Sequence, residues 1–372
     1  MLIGWTLVAL AGVWLGFAYL GYPLLLMLLA RLRPRPLATG AGRPSLSVVI
    51  AVHDGGERIE EKLKSTLALR YPEPFEVIVA SDGSTDETDR IAESFAGCGV
   101  VLVRSPERRG KEAVQAAAIA RADGEVLVFT DLGAELEDDA LLHLVEPFAD
   151  PGVGCVSSED VSVGAEGEGA YVRYEMALRR LETRAASLIG VSGSCFAIRR
   201  SLCEPWPTDL ASDFRSALEC ARRGLRAVSE PRARARIPAT RDAGREWTRK
   251  VRTVRRGLAV LFAYRDLLRP GSSPVWLPLW GHKVARFTSP FALLGVLLGS
   301  LLALPGTAAQ ALLAAQALAY GLGAAALAGL PGAGFRLARL CAYFLLVNAS
   351  ILVAWIHHAR GERAVVWTPT RR

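Results

Sequence analysis

The sequence predicts an α/β protein in which a Rossmann-like, mostly parallel sheet lies between membrane-spanning helices at the two ends of the chain. Between residues 46 and 130, four short apolar runs alternate with stretches of helical periodicity, which is typical of a doubly wound parallel sheet. The last run, from Val126 to Asp131, is apolar without alternation up to its final carboxylate, so it indicates a strand buried on both faces. Residues 2–30 and 291–355 are almost free of charged side chains.

The individual elements follow from the hydrophobic period and from the Gly and Pro residues that interrupt it. Strands are expected at 46–52, 75–80, 100–104 and 126–130, and helices at 58–69, 112–121 and 171–188, with a further helix that ends at 95. From residue 154 the alternation of strand and helix weakens.

The N-terminal apolar segment, residues 1–30, is predicted to be a retained membrane anchor. It exceeds the roughly 20 apolar residues that a spanning helix needs, and it lacks the basic start of a cleaved signal peptide. A Pro/Gly/Arg linker follows at 31–45. Because the arginines lie on the carboxyl side of the anchor, the positive-inside rule places the domain at 46–243 in the cytosol.

The C-terminal third is predicted to return to the membrane. Residues 244–286 have the pattern of amphipathic, interfacial helices, residues 287–358 provide two or three spanning helices, and residues 359–372 form a basic tail. Three crossings would leave this tail outside, although basic segments favour the cytosol. We therefore expect Phe287–Leu304, which contains Pro290 and borders Pro305, to lie in the interface. The prediction is a multi-pass protein of the cell's inner membrane.

Composition excludes several classes of partner. The net charge of +7 is carried almost entirely by arginine, clustered beside the membrane segments, which suits anionic lipid headgroups. No nucleic-acid motif is present, so nucleic acid is not expected as a partner. The six cysteines have no paired metal spacing and are expected to be reduced and buried.

Asp131 and Asp82 are the first candidate ligand residues, because each carboxylate follows a predicted strand. In open α/β sheets, ligands bind at the carboxyl ends of the strands. Each residue also has a structural interpretation. Asp131 can cap a helix before the acidic run 135–139, and the segment DGSTD that contains Asp82 can be a plain capped turn. In the ligand interpretation, Gly83 permits the bend and the Asp82 carboxylate points over the sheet edge.

Four spaced motifs resemble a known family. The segments are SVVIAVHDG, EVIVASDGSTDET, RGKEAVQAAAIARADGEVLVFTD and VSGSCFAIRR. Together they resemble the inverting family 2 glycosyltransferases of the GT-A fold, and in particular the membrane-anchored bacterial members. The resemblance implies transfer of a sugar from a nucleotide-diphosphate sugar to a hydroxyl group, with inversion at the anomeric carbon.

The resemblance also implies a donor site. Val52, His53 and Asp54 would lie beside the nucleotide, Asp82 would bind the uracil or ribose, and Lys111 would lie near the donor. Asp131 corresponds to the first aspartate of the Asp-x-Asp motif, which holds Mg2+ or Mn2+ and the diphosphate.

Two glycines depart from the family pattern. Gly55 stands where the family often has glutamate, and Gly133 stands at the second aspartate of Asp-x-Asp. Glu135 is the nearest substitute metal ligand. It can equally be an acid at a helix N-terminus, where the helix dipole favours negative charge.

The resemblance implies that the part of the domain from residue 154 onwards receives the acceptor. This acceptor half contributes two further candidates. Asp213 lies where the family has Glu-Asp and is predicted to be the general base, because direct displacement needs a carboxylate within hydrogen-bond reach of the acceptor hydroxyl. A helix N-cap is the alternative role. Arg252 stands where processive relatives carry Gln-x-x-Arg-Trp. It is kept as a donor-site candidate, although the surrounding helix has the pattern of one lying in the headgroup layer.

The leading hypothesis is a metal-assisted, inverting glycosyltransferase that acts on a lipid-linked or polysaccharide acceptor at the cytosolic face of the membrane. A processive polysaccharide synthase is the second enzyme hypothesis, disfavoured by the loss of the acceptor-stacking tryptophan. A third hypothesis, motivated by Gly55 and Gly133, is a catalytically impaired scaffold subunit of an envelope-polysaccharide complex. Retention of Asp82, Asp131 and Asp213 argues against it.

Overall fold

The computed structural model describes residues 1–38, 40, 42–163, 166–238 and 243–362. These residues divide into two compact units. The sheet unit comprises the described residues of 29–239 together with 259–276, and the helical unit comprises 1–28, 277–362 and the described part of 240–258. Each unit is considered by itself below.

Eight strands form a single mixed sheet in the described part of the sheet unit. The strands are β1 (Leu46–Val52), β2 (Glu76–Asp82), β3 (Val100–Ser105), β4 (Val126–Asp131), β5 (Glu135–Leu136), β6 (Val153–Val163), β7 (Cys195–Arg199) and β8 (Arg226–Pro238). Their order is β3-β2-β1-β4-β7-β6-β8-β5. The first four are parallel, as predicted, whereas β7 runs antiparallel to both β4 and β6. The predicted α/β fold class is therefore confirmed, and β6 and β8 in the second half also pair in parallel.

Helices cover both faces of the sheet. They are α3 (Gly56–Leu67), α4 (Thr88–Ser94), α5 (Lys111–Arg121), α6 (Ala140–Val145), α7 (Glu166–Ala185) and α8 (Ser212–Arg222). Val126 and Val128 pack into the apolar cluster that contains the buried residues of α3 and α6. Leu127 and Phe129 pack into the opposite cluster, with α5 and α8. Because alternate residues of β4 enter two cores, its unbroken apolar sequence is explained.

The strand order creates a crevice beside Asp131. From β1 the chain moves through β2 to β3, and then returns to place β4 on the other side of β1. In the register of these strands, Ala51 lies opposite both Ala80 of β2 and Asp131 of β4. Such a reversal of strand order is where open α/β sheets bind ligands, at the carboxyl ends of the strands.

The acidic run 135–139 does not begin a helix. Glu135 and Leu136 form β5, which pairs with Arg236 and Ala235 of β8, and α6 begins only at Ala140. The predicted alternative role of Asp131 as a helix cap is therefore wrong. The alternative interpretation of Glu135 as an acid at a helix N-terminus is wrong for the same reason.

The helical unit contains the apolar segments. Helix α1 (Leu2–Gly16) continues through a π-helical turn (Phe17–Gly21) into α2 (Tyr22–Leu32), giving a continuous span of 31 residues. Helix α9 (Ala243–Ala263) is followed by Trp276–Phe287, Ser289–Leu302, Thr307–Leu327 and Arg336–Ala359.

Three of the described helices are long and apolar enough to cross a membrane, namely Leu2–Leu32, Thr307–Leu327 and Arg336–Ala359. The predicted interfacial segment corresponds to the Ser289–Leu302 helix, which has 14 residues and bends by 56° from Trp276–Phe287. If the two helices of this bent pair together form one span, the described helices provide four spans. The number of crossings stays a prediction, and most of the predicted basic tail, from residue 363 onwards, lies outside the described residues.

Small residues let two of these helices approach closely. A Cβ atom built on Gly299 would lie 2.7 Å from the carbonyl oxygen of Gly4, and one built on Gly295 would lie 3.2 Å from the Cβ of Ala11. The Trp14 indole also donates a hydrogen bond to the Thr288 hydroxyl at 2.9 Å. Helix α1 and the Ser289–Leu302 helix therefore pack as antiparallel neighbours through glycine contacts, as is common between membrane helices.

Candidate functional site

An ion pair between Asp131 and Lys111 lies at the centre of the candidate site. Asp131 ends β4, and Lys111 begins α5 directly after Gly110, whose φ of 101° is a backbone conformation open to glycine. The Lys111 ammonium donates to Asp131 Oδ1 at 2.6 Å. The lysine side chain is 11% exposed, whereas that of Asp131 is 38% exposed. The Asp131 carboxylate is therefore partly accessible to a ligand, while the Lys111 ammonium balances its charge.

Three carboxylates act on the Lys111 ammonium. Burial alone would lower the pKa of Lys111, but the charge of Asp131 and its hydrogen bond, followed by the charges of Glu112 and Asp213, outweigh that effect. The pKa of Lys111 is consequently raised, and the side chain is a permanent cation. The structure thus brings Lys111 and Asp131, which lie on separate motifs of the sequence, into direct contact.

Asp213 lies in the first turn of α8 and does not cap it. The N-cap residue is Ala211. At the start of the helix, the free backbone amide of Ser212 donates a hydrogen bond to Glu112 Oε1 at 3.3 Å. Asp213 Oδ1 accepts from the Phe214 amide at 2.8 Å. Because Glu112 serves the helix end, the predicted alternative role of Asp213 as an N-cap is wrong.

A loop at residues 192–194 joins the Asp131 and Asp213 sides of the site. The Ser194 carbonyl accepts from the Asp131 amide at 2.9 Å and from the Thr130 hydroxyl at 3.1 Å. A Cβ atom on Gly193 would lie 3.0 Å from Asp213 Oδ2, so glycine permits this close approach. One loop therefore contacts both residues, through the backbone of Asp131 and the side chain of Asp213.

Asp160 supports that loop and was not found by the sequence analysis. Its carboxylate accepts from the Ser192 hydroxyl at 2.6 Å and also from the Ser194 hydroxyl. The residue lies in the outer part of β6, where burial gives way to exposure. No hydrophobic period in the sequence could predict this contact, because the contact depends on the pairing of β6 with β7.

Asp82 is more deeply placed than predicted. It is fully buried, and its carboxylate accepts from the backbone amides of Arg109 at 2.6 Å and Gly110 at 2.9 Å. The expectation that the side chain points out over the sheet edge is therefore wrong. Its observed contacts hold the turn that precedes Lys111, and direct contact with a nucleotide stays a prediction.

His53 and Asp54 connect the loops that follow β1 and β2. The His53 ring contacts the Asp82 carbonyl through Nδ1 at 2.7 Å. Asp54, at a φ of 47°, accepts from the Thr85 amide at 2.8 Å. Both residues therefore lie at the predicted edge, and their contact with a nucleotide stays a prediction.

Val52 and Gly55 explain how the first loop meets the Asp131 turn. The Val52 side chain is fully buried in the core, so only the backbone of this residue could face a nucleotide. A Cβ atom on Gly55 would lie 2.5 Å from a methyl group of Leu132. Leu132 thus occupies the space that a side chain at position 55 would need, which accounts for glycine there.

Lys62 is a buried cation beneath the turn formed by residues 131–134, and the sequence analysis missed it. Its Nζ donates to the Ala134 carbonyl at 2.6 Å and to the Thr130 hydroxyl at 3.1 Å. Burial lowers the pKa of Lys62 to about 8, and the negative charges of Asp131 and Glu135 oppose this effect. A usable signal existed, because Lys62 occupies the apolar stripe of α3 with Ile59 and Leu63.

The cysteine beside this lysine is not a nucleophile. Cys195 is buried, and burial raises the pKa of its thiol to about 12. The thiolate that a nucleophile requires is therefore absent at neutral pH, in agreement with the predicted packing role.

The metal-ligating residues predicted from sequence supply a single well-placed carboxylate. Gly133 has no side chain, and Glu135 is exposed on β5. Within the described ranges, no group of three or more His, Cys, Asp or Glu side chains is arranged to hold a metal ion. The residues fit a divalent cation only if other oxygens, such as those of a diphosphate, complete its coordination. Ligation by Asp131 and Glu135 stays a prediction.

Arg252 lies in α9, within the helical unit, and the other candidate residues lie in the sheet unit. Its predicted part in the donor site stays a prediction.

The first part of the sheet unit is similar to known proteins. Residues 47–206 match the model of the family described as Glycosyl transferase family 2. Poly-beta-1,6-N-acetyl-D-glucosamine synthase of Staphylococcus aureus (strain COL) is 26% identical over 228 residues, covering 58% of this chain and 55% of the relative. The synthase of Staphylococcus epidermidis is 25% identical over the same length. The chain thus spans about half the length of the curated relatives that it matches.

A solved structure matches almost the whole chain. Mannosyltransferase PcManGT from Pyrobaculum calidifontis, in complex with GDP-Man and Mn2+, has a TM-score of 0.74 and 26% sequence identity. The match covers 96% of this chain and 100% of that one, so it includes both the sheet unit and the helical unit.

Proposed function

We propose that the protein transfers a sugar from a nucleotide-diphosphate sugar to a hydroxyl group, with inversion at the anomeric carbon. The match of residues 47–206 to the model of Glycosyl transferase family 2 supports this proposal. The acceptor is a lipid-linked or polysaccharide hydroxyl at the cytosolic face of the membrane. One observation carries the proposal: the loop at residues 192–194 contacts both candidate residues, since the Ser194 carbonyl accepts from the Asp131 amide at 2.9 Å and a Cβ atom on Gly193 would lie 3.0 Å from Asp213 Oδ2. Donor and acceptor chemistry therefore have their groups in one place.

Asp213 is the general base of the proposed reaction. Direct displacement requires a carboxylate that accepts the proton of the acceptor hydroxyl as its oxygen attacks the anomeric carbon. Asp213 is partly exposed and is backed by Gly193, which leaves room for a sugar hydroxyl. Since a single displacement occurs at the face opposite the leaving group, the product has the inverted configuration.

Lys111 and Asp131 hold the diphosphate side of the donor. The Lys111 ammonium neutralises phosphate charge as the glycosidic bond breaks. Asp131, together with diphosphate oxygens, would hold Mg2+ or Mn2+, which neutralises the leaving group when bound. The Mn2+ in the solved mannosyltransferase complex supports this assignment. His53, Asp54 and the loop held by Asp82 form the nucleoside side.

The helical unit fits a multi-pass protein of the cell's inner membrane that presents the sheet unit to the cytosol. The three long apolar helices support membrane insertion. Arginines after the first span support the cytosolic orientation through the positive-inside rule. Such a placement gives the site access to lipid-linked acceptors in the inner leaflet.

Nucleotide release by the purified full chain tests the proposal. The protein, in lipid nanodiscs with Mn2+ or Mg2+, is incubated with a panel of sugar nucleotides that includes GDP-mannose and UDP-N-acetylglucosamine, chosen from the two kinds of relative. Release of a nucleoside diphosphate from at least one donor is expected. If none of the panel is bound or turned over, the chain is better described as a scaffold subunit.

A processive synthase is the second candidate, favoured by the similarity to the staphylococcal synthases. Product length separates the two. A single-transfer enzyme adds one sugar at any donor excess, whereas a synthase extends its product as donor is increased. We expect one addition, because the chain has Thr253 where the processive motif has the stacking tryptophan.

A further inference from the structure

Lys62 is a charged residue beside the donor site, and it has no role in the proposed reaction. It projects from the buried face of α3 and is 5% exposed. Its two observed hydrogen bonds, to Thr130 and Ala134, lie on either side of the Asp131 turn. A lysine loses considerable solvation and rotamer freedom when it is buried, so its presence in a core position calls for a compensating role.

The hydrogen bonds of Lys62 hold its ammonium beneath the turn that begins at Asp131, the carboxylate that a divalent cation would use. The charges of Asp131 and Glu135 oppose the effect of burial on the pKa of Lys62. Lys111 contacts Asp131 directly at 2.6 Å. One ammonium group therefore contacts this carboxylate, and a second lies beneath its turn, before any ligand arrives. At neutral pH, below a pKa of about 8, Lys62 is mostly protonated.

Such an arrangement disfavours a cation on its own. A divalent ion placed at Asp131 is repelled by both ammonium groups, and Gly133 supplies no second carboxylate to offset the repulsion. A bound diphosphate reverses the balance, because its negative oxygens both coordinate the ion and attract the two lysines.

We propose that Lys62 makes divalent-cation binding at Asp131 conditional on the diphosphate, so that the ion and the nucleotide enter the site as coupled ligands. The inference rests on the proposed function, since it assumes a nucleoside diphosphate in the crevice. Thermodynamic linkage then requires the ion to tighten nucleotide binding by the same factor as the nucleotide tightens ion binding. Lys62 is a positioning residue in this scheme and touches neither substrate.

Titration of Mn2+ tests the coupling without any measurement of turnover. The full chain in nanodiscs is titrated with Mn2+ at pH 7, with free Mn2+ followed by electron paramagnetic resonance, in the absence and presence of GDP or UDP. Wild-type protein is expected to bind Mn2+ on the order of ten-fold or more tightly with nucleotide present. Equal Mn2+ affinity with and without a nucleotide that does bind would overturn the proposal without requiring any variant.

The variant Lys62→Met isolates the contribution of the buried charge. Methionine keeps a similar shape and removes the ammonium, so Mn2+ should bind the nucleotide-free variant on the order of ten-fold more tightly than wild type. A lysine that merely supported the fold would give the opposite result, because a distorted turn loses affinity. Lys64→Met is the matched control, since Lys64 is exposed on the same helix and pairs with Glu60. Both variants change the net charge equally.

The outcomes separate this inference from the proposed function. Tighter Mn2+ binding by Lys62→Met than by Lys64→Met supports the inference. Equal or weaker binding overturns it and leaves the glycosyltransferase proposal standing, provided that nucleotide still binds. If neither GDP nor UDP binds wild type with or without Mn2+, the proposed function fails and this inference fails with it.

Discussion

At the scale of single residues, Lys111 is where the charges of the site converge. It is buried, it contacts Asp131 directly, and the charges of Glu112 and Asp213 also act on it. A cation in this position serves both halves of a displacement reaction. It balances Asp131 before the donor binds and meets the diphosphate afterwards.

Replacement of Lys111 by methionine should weaken binding of the matching nucleoside diphosphate. In the bound state the Lys111 ammonium would pair with the diphosphate, and removal of one partner of a buried charge pair costs about 2–5 kcal/mol. We therefore expect nucleotide affinity to fall by at least about ten-fold. Isothermal titration of wild type and variant measures it. The fold should survive, because Asp131 is more than a third exposed and remains hydrated. Unchanged affinity would show that Lys111 does not meet the phosphates.

The sequence predicted the site residues whose signal is local. Asp131 and Asp213 each stand at the border of an element, and Lys111 follows a glycine that opens a helix. Lys62 was missed because a lysine within a helical stretch is normally assigned to the solvated face. The direction in which Asp82 points was also wrong, since its partners, the Arg109 and Gly110 amides, lie 27 and 28 positions away in sequence.

At the scale of secondary-structure elements, the turn before α5 organises the site. Asp82, from the end of β2, accepts the amides of Arg109 and Gly110, and so fixes the start of the helix that carries Lys111. Gly110 has a φ of 101° and a ψ of 159°, a combination that side chains rarely adopt. The helix start is therefore set by a buried carboxylate and a glycine.

Substitution of Gly110 by alanine should reduce both stability and nucleotide binding. The backbone strain costs about 1–3 kcal/mol, and relief of the strain would displace Lys111. Gly99 is the matched control, because its φ is 84° and a Cβ there would meet nothing within 4 Å. Gly99→Ala should lower the melting temperature similarly and leave nucleotide affinity unchanged. A parallel loss of affinity in both variants would contradict this role of the turn.

The close approach of α1 and the Ser289–Leu302 helix predicts a second pair of variants. In Gly299→Leu, the new side chain would collide with the Gly4 carbonyl, and overpacking of this kind costs about 1–3 kcal/mol. Gly321→Leu adds the same side chain where nothing lies within 4 Å of the Cβ position. Thermal melting in detergent should be lower for Gly299→Leu alone. Equal melting temperatures would mean that the two helices do not pack through these glycines.

The elements themselves were predictable to different degrees. The strands 46–52 and 126–131 agree closely with the hydrophobic runs, because each is buried on both faces. The strand 100–105 also agrees, although it lies at the edge of the sheet and is only partly buried. The strand β5 was not predicted. It has two residues, and its pairing with β8 about 100 positions later has no local signal. The alternative interpretation of the acidic run 135–139 as the start of a helix was therefore wrong, since α6 begins at Ala140.

At the scale of the whole molecule, the chain combines a region that matches the model of Glycosyl transferase family 2 with apolar helices on both sides of it in the sequence. The family match ends at residue 206, within the sheet unit, whereas the match to the solved mannosyltransferase extends through the helices. Hydropathy located the apolar segments. It could not fix the number of crossings, since the Ser289–Leu302 helix is short and bent against its neighbour.

Transfer activity in Asp213→Asn, measured beside nucleotide binding, tests the central claim most directly. The amide has nearly the same shape but cannot accept the acceptor proton, so the account predicts loss of sugar transfer by at least about a hundred-fold, with nucleotide affinity within a few-fold of wild type. Asp123→Asn serves as the control, because Asp123 is exposed before the amino end of β4, at the opposite edge of the sheet. Transfer by Asp213→Asn at the wild-type rate would contradict the assignment of the general base and with it the proposed site.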